Sequence, residues 1–278
     1  MAADRELVVN ADDFGWSHSV NEGIVECHQT GIVTRTSILA TGWAFEHAVE
    51  LAKATPTLGI GMHLNIYRGN TILPAEKIPT LVGPDGKLLG SWQEIVGRLV
   101  RGRFDLAQVE AELRAQIQHV LAAGLTPAHL DSEKHLHLWP SMFDVVCKLA
   151  VEFGIPEVRT VREPLGAKPI PLMLGVFSAR NAGVAHRHGI STSDSTVGVT
   201  YPPIDDAALE RILRSARGSR VEFVVHPGHV DAEFMELQSH VANRLVCSRE
   251  EELAVLASPD SREAVNRAGF RLGRVSQV

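Results

Sequence analysis

Apolar, β-branched runs of strand length alternate with segments of helical periodicity along this chain, and that alternation restricts the fold more than any other feature of the sequence. Glu6–Asn10 (ELVVN) reads as a buried strand, Ser17–Thr30 as a helix closed by Gly31, Val33–Ala40 as a second strand and Phe45–Ala54 as a second helix. Leu58–Ile66 (LGIGMHLNI) is a third strand. Further on, Asp105–Ala123 places Leu106, Val109, Leu113, Ile117 and Val120 on one helical face, opens with Asp105 and Gln108 at capping-box spacing, and ends at Gly124. Pro127–Glu133, Glu157–Val161 and Arg220–His226 read as strands, with helices over Ser141–Phe153 and Ala207–Ala216. Pro164–Pro203 fits neither period, although Ser191–Thr200 has the composition of a strand. Ser248 with Glu251 and Asp260 with Glu263 have capping-box spacing for two short closing helices, and Phe270–Val275 reads as a last strand.

Strands each followed by a helix predict a parallel α/β fold, either a barrel or a doubly wound sheet. No GxGxxG follows the first strand and no GxxxxGK[ST] occurs, which removes the main support for a nucleotide-binding sheet. The segment Tyr67–Gly102 breaks the rhythm with scattered Pro and Gly and one amphipathic piece, Trp92–Leu99; it is expected to be an irregular insertion of the kind that covers a site. With no disordered linker and no repeat, residues 1–278 are expected to form one catalytic domain.

Composition excludes several partners. Lys plus Arg total 27 against 33 for Asp plus Glu, a net charge of -6 with no block of like sign, so nucleic acid is not expected. Cys27, Cys147 and Cys247 are odd in number and form no CxxC, which fits a reducing compartment. Met1–Glu6 carries charge where a signal peptide needs an apolar run, and no stretch approaches the roughly 20 apolar residues of a membrane span. The expected location is cytoplasmic. The 13 histidines against 2 tyrosines then ask where the histidines sit.

A barrel would gather its polar chemistry just past the strand ends, and the sequence does so. The first strand runs into Asn10-Ala11-Asp12-Asp13-Phe14-Gly15. Of two adjacent carboxylates leaving a strand, one can bind a cation while the other acts as a base; a turn with helix capping is the plain alternative. His63 stands alone in the apolar third strand, where a satisfied core histidine is the commoner case. The fourth strand shifts the balance with His129-Leu130-Asp131-Ser132-Glu133-Lys134-His135-Leu136-His137. If this run stays extended, His129, Asp131, Glu133, His135 and His137 share one face; if it turns midway, only its first or last members converge. His226, in a strand ending His226-Pro227-Gly228-His229, faces the same opening and is a candidate general acid. Trp16 and Trp139 lie just beyond motifs, where a ring could stack on a sugar or pack in the core. The remaining histidines are expected at the surface. Carboxylate and imidazole without thiolate point to Zn, Co, Ni or Mn, or to Mg if water fills more positions, and suit metal-assisted hydrolysis. No GxSxG supports a serine nucleophile.

NADDFG after the first strand, GMHLN on the third, HLDSxxHLHxxP on the fourth and a strand ending in HP resemble the YdjC-like carbohydrate deacetylases, over nearly the whole chain from Val8 to Gly269–Gly273. The branch most similar is the hopanoid-biosynthesis-associated N-acetylglucosamine deacetylases (HpnK). The resemblance implies a deformed, TIM-like (β/α) barrel of about seven parallel strands, of polysaccharide-deacetylase type. It also implies divalent-metal-dependent removal of acetyl from an N-acetylated amino sugar, here on a glycosylated hopanoid. By position Asp12 is then the general base, Asp13 and His63 are metal ligands, and His226 is the candidate general acid. Glu133 stands where the family has its third-ligand histidine; by alignment it takes that role, with His135 and His137 as supporting groups, alternative ligands or proton donors.

A lipid substrate would bring the protein to the inner face of the membrane, with Leu73, Ile78, Leu81, Leu88 and Leu89 of the insertion as an apolar lip or, alternatively, as packing. Soluble chitooligosaccharides are the other sugar substrate. A phosphoesterase or glycosidase on the same barrel, or a non-catalytic sugar- or lipid-binding protein, are the competing classes.

Overall fold

The computed structural model of the protein describes residues 5–162, 169–199, 204–239 and 248–273. Expected features at Thr200, His240, Cys247 and 274–275 lie outside them. In chain order the elements are β1 (Arg5–Phe14), α1 (His18–Thr30), β2 (Arg35–Ile38), α2 (Phe45–Ala54), β3 (Gly59–Leu64), β4 (Arg68–Gly69), β5 (Leu88–Leu89), α3 (Trp92–Val100) and α4 (Leu106–Ala122). They continue with β6 (Leu130–Ser132), α5 (Pro140–Glu152), α6 (Pro169–Arg187), β7 (Ser195–Val197), α7 (Asp206–Ser215), β8 (Arg220–Val225), α8 (Ala232–Ser239), α9 (Arg249–Ala257), α10 (Pro259–Arg267) and β9 (Phe270–Leu272).

The main sheet has seven strands in the order β6-β3-β2-β1-β8-β7, with β9 also on β1, and every pairing in it is parallel. One edge of β1 takes β8 from Glu6 to Ala11, and the other takes β9 at Arg5–Leu7 and then β2 from Asn10. The segment expected as a strand at Glu157–Val161 joins the two sheet ends through single bridges, Leu130 to Val158 and Glu157 to Ser191. The sheet is thus a curled, deformed barrel, as expected.

Alternation along the strands sorts the side chains into two cores. Leu7, Val9 and Ala11 of β1 and Val221, Phe223 and Val225 of β8 pack in the apolar core under the helices. Residues of the other parity meet inside the barrel and are largely polar: Asn10, Asp12, Arg35, Ser37, His63, His129, Asp131 and Glu222, all buried. Gly61 belongs to this set. A Cβ there would come within 2.0 Å of the His129 ring, so the missing side chain is what lets that imidazole occupy the barrel.

The insertion folds as the antiparallel pair β4 and β5 followed by α3, and α4 anchors it: the buried Glu112 carboxylate accepts the Ile72 and Leu73 N–H groups, both at 2.9 Å. Ile78, Leu81 and Leu88 are buried, and Leu73 and Leu89 pack half-buried on the core. The five apolar side chains proposed for a lip therefore mainly hold the insertion to the barrel.

The expected caps are partly replaced. Asp105 caps α4 through Ala107, but its own N–H goes to Thr80 Oγ1 and the Gln108 amide oxygen accepts from Thr80, so the reciprocal box does not form. Ser248 makes no side-chain cap to α9, and α10 is capped by Ser258, which leaves Asp260 inside its first turn.

Candidate active site

The carboxyl ends of β1, β3, β6 and β8 deliver the expected residues to one place. β1 carries a register shift between Ala11 and Phe14, and Asp13 adopts φ 74°, a left-handed conformation that Asp tolerates better than most residues. The irregularity changes the aim of the two carboxylates: Asp12 and Asp13 are both buried and both face the His63 ring electrostatically.

The β6 run is extended only through Ser132 and then turns. Residues Glu133–Leu138 form a 3-10 turn with Lys134 and His135 both at φ 54°. Asp131 and His129 accordingly stay inside the barrel, where the Ser37 hydroxyl lies 3.1 Å from His129 Nε2 and donates to Asp131 at 2.5 Å. His137 is tied into the turn: Ser132 Oγ lies 2.7 Å from its Nδ1, and its Nε2 lies 3.0 Å from the Arg159 carbonyl oxygen. Both ring nitrogens are engaged, and burial pulls it down to about 4, so His137 is a structural group here. His135 is half-buried with Nδ1 lacking a hydrogen bond, and burial, aided by Arg159, holds it well below its ordinary value.

Three arginines that the sequence did not single out organise the acids. Arg159 is fully buried and grips Asp12 with both Nη atoms (2.9 and 2.8 Å), reaches Asp131 at 2.8 Å and gives Nε to Glu222 at 2.9 Å. Burial would raise the Asp12 carboxyl, but Arg159 and His63 together hold it below its ordinary value and keep Asp12 ionised. Arg249, at the start of α9, pairs with Asp13 Oδ2, and against burial this pairing, with His63, holds Asp13 far below the carboxylate range. Arg68 lies 3.6 Å over the Trp16 ring and 2.5 Å from Glu133 Oε1, although neither Glu133 oxygen receives an aligned hydrogen bond. Burial, with Asp13 nearby, raises Glu133. An arginine in the strand-like run Glu157–Val161 was a readable signal, because a charge inside an apolar run is rarely buried without a partner. Arg68 and Arg249 carried no such mark.

His63 is oriented by a carboxylate. Its Nδ1 lies 2.6 Å from Asp131 Oδ1, which turns Nε2 toward Asp13 Oδ1 at 3.7 Å. Burial would lower His63, but Asp131 and Asp12 raise it to about 9, so the site already stabilises a positive charge at this ring. Asp12, His63 and Asp131 present atoms within 4.8 Å of one another, a spacing a cation could span. Asp131 is already spent on His63 Nδ1, Asp12 on Arg159 and Glu133 faces Arg68, however, whereas His63 Nε2 and one Asp13 oxygen are not so engaged. Four carboxylates, Asp12, Asp13, Asp131 and Glu133, share three guanidiniums, and Glu222 also claims one of these.

His226 stands at the mouth, its side chain 22% exposed and its Nε2 4.0 Å from Asp12 Oδ2. Burial, with Arg249, pulls it down to about 4 against the opposing pull of Asp12 and Asp13. Trp16 is buried and Trp139 packs half-buried against Phe177, so neither expected ring offers a free face. Of the histidines expected to be solvated, His28 is half-buried between Val33 O and Thr57 Oγ1, both at 2.8 Å, and His119 stacks on Phe45 with centroids 4.7 Å apart.

The YdjC-like protein family matches residues 6–267, which spans all of these positions. The chain belongs to the YdjC-like family. It is 30% identical to a carbohydrate deacetylase of Brevibacillus brevis over 98% of this chain and 99% of that protein. A carbohydrate deacetylase of Geobacillus stearothermophilus is 34% identical over 92% of this chain and 90% of its own length. Among solved structures, a "putative cellobiose-phosphate cleavage protein" of Enterococcus faecalis V583 superposes with a TM-score of 0.80 at 27% identity, covering 97% of each chain. This YdjC-like chain therefore shares the fold of that Enterococcus protein over nearly its whole length. No helix among its described residues is long and apolar enough to cross a membrane.

Proposed function

We propose that this YdjC-like protein is a carbohydrate deacetylase that hydrolyses the N-acetyl group of an N-acetylglucosamine-type amino sugar, giving acetate and a free amine. The observation that carries the reading is the division of labour between adjacent acids: Asp12 is held ionised and oriented by Arg159, while Asp13 faces the carboxylate-oriented His63. A binding protein has no use for a spare base beside such a pair. Curated relatives that match nearly end to end bear the name carbohydrate deacetylase.

Asp13, His63 and Glu133 would hold a divalent cation, which supplies Lewis-acid polarisation of the acetamide carbonyl. Asp12 accepts the proton of the attacking water. Arg159 and the Asn10 amide, 2.7 Å from Asp12 Oδ1, fix the direction of that transfer. His226, neutral at rest, passes the proton taken up by Asp12 to the departing nitrogen as the C–N bond breaks, because it combines partial exposure with closeness to Asp12. His135 is the second candidate for that step, and for the ligand role should Glu133 remain with Arg68. The glycosylated hopanoid rests on the resemblance to HpnK, and peripheral contact with the inner membrane face rests on that substrate. The inward packing of the insertion's aliphatic residues favours a soluble chitooligosaccharide as the second reading.

Acetate release from an N-acetylglucosaminyl lipid and from diacetylchitobiose tests the activity, with and without a chelator. Release from at least one substrate, abolished by chelation and restored by metal, is expected. His63→Ala should also lower the metal content found by elemental analysis. Release that survives complete removal of metal would sink the assignment of Asp13, His63 and Glu133.

A further inference from the structure

The end of β8 leaves a backbone group that its own sheet does not satisfy. Pairing with β1 stops at Val225, opposite Ala11, where the irregularity of β1 begins. The next N–H belongs to His226 and lies beyond the ladder, and Pro227 follows, which keeps His226 extended and brings no N–H of its own. The partner comes from α9. Glu252, buried, accepts the His226 N–H at 2.7 Å. Arg249, three residues earlier and so on the same helical face, donates to the His226 carbonyl at 3.3 Å while pairing with Asp13. One turn of α9 thus holds the His226 main chain on both sides.

The rest of the loop is pinned in the same cleft between helices. The Gly228 N–H reaches the Arg249 carbonyl at 3.4 Å, the Val230 N–H the Glu250 carboxylate at 3.3 Å, and the His229 N–H the Ser19 carbonyl of α1 at 3.3 Å. Gly23 of α1 comes so near that a Cβ there would lie 2.7 Å from Gly228 Cα. Among these contacts Glu252 is the buried acid that touches His226 directly. Burial, with Asp12 and Asp13 nearby, raises its carboxyl to about 7 against the pull of the His226 N–H and Arg249. Near neutral pH an amide is therefore a close substitute for it as acceptor.

We infer that Glu252 is a positioning residue for the proton relay: by holding the His226 main chain it keeps the imidazole between Asp12 and the departing nitrogen. The inference rests on the deacetylase reading, which gives His226 that relay. The His226 Nε2 stands 4.0 Å from Asp12 Oδ2, so a loop displacement of about 1 Å takes the ring out of reach of a proton transfer. Without Glu252 the His226 N–H must find water, and to do so the loop must lift from the barrel end.

Acetate release by Glu252→Ala, Glu252→Gln, His226→Ala and the double variant of Glu252→Ala with His226→Ala tests the inference. Glu252→Ala should lower kcat by about 10–100-fold with KM and metal content unchanged, and Glu252→Gln should restore most of the rate. The double variant should be no slower than His226→Ala alone, because Glu252 acts through that ring. A double variant slowed by the full factor of Glu252→Ala, or a Glu252→Ala rate equal to wild type, would overturn the positioning role. Hydrogen exchange of the His226 amide reads the contact without turnover: protection is expected in the wild type and Glu252→Gln and its loss in Glu252→Ala, and protection that survives in Glu252→Ala would also overturn the role. Glu252-dependent protection in a wild type that releases no acetate would leave the contact standing and remove the deacetylase reading instead.

Discussion

The two ends of the barrel interior are both lined with buried charge, yet they are built differently. At the amino end Arg35 gives Nε to Asn10, Nη1 to Glu157 and Nη2 to Glu222, while the second Glu157 oxygen takes Arg220 at 2.6 Å. Nearly every group there has a partner with good geometry. At the carboxyl end both Glu133 oxygens and His135 Nδ1 lack an aligned hydrogen bond, and Asp13 shares the His63 ring at a distance too long for one. Paired charges hold a structure in place; surplus acid and imidazole leave room for an ion and a proton to move. Arg159 belongs to both ends, with Nε on Glu222 and its Nη atoms on Asp12 and Asp131.

Removing that shared group should have the largest effect. Arg159→Ala strands Asp12, Asp131 and Glu222 in the interior and is expected to cost about 3–5 kcal/mol in urea unfolding. A loss below about 1 kcal/mol would mean that the two ends are not joined through this residue. Glu157→Gln separates the ends more gently. Against burial, Arg35 and Arg220 hold the Glu157 carboxyl at about 2, below its ordinary 4.5. Its stabilisation is therefore complete above the unfolded value and drains away as pH falls toward the folded one. The wild type should exceed Glu157→Gln by about 3 kcal/mol at pH 7, with the gap closing between about pH 5 and pH 2. A gap independent of pH would contradict the pairing. Gly61→Ala should have the smallest effect, about 1–3 kcal/mol, because the new methyl must displace the His129 ring between the two ends. An undiminished melting temperature would show that the interior there is looser than described.

How far the sequence could be read divides along the same line. Strand and helix order was legible because the apolar core obeys simple periods, and the same alternation put His129 and Asp131 on one face. Turn chemistry was not. The run after Ser132 carries apolar and polar residues in strand-like alternation, but two consecutive left-handed residues, Lys134 and His135, redirect it, and His137 becomes an anchor instead of a ligand candidate. The capping boxes failed for a related reason: Thr80 of the insertion takes the Asp105 N–H, a competition between distant segments that spacing cannot reveal. Asp12 and Asp13 were visible as a pair, whereas the arginines that divide their roles come from residues 159 and 249. Partners so far away in sequence leave no local pattern.

The central claim is that Asp12 is a base beside the metal-binding residues and not one of them. Acetate release and metal content of Asp12→Asn, measured on the same preparation, test it most directly. Release should fall by roughly 10²–10⁴-fold with metal content unchanged. Turnover at the wild-type rate, or loss of the metal together with the activity, would contradict it.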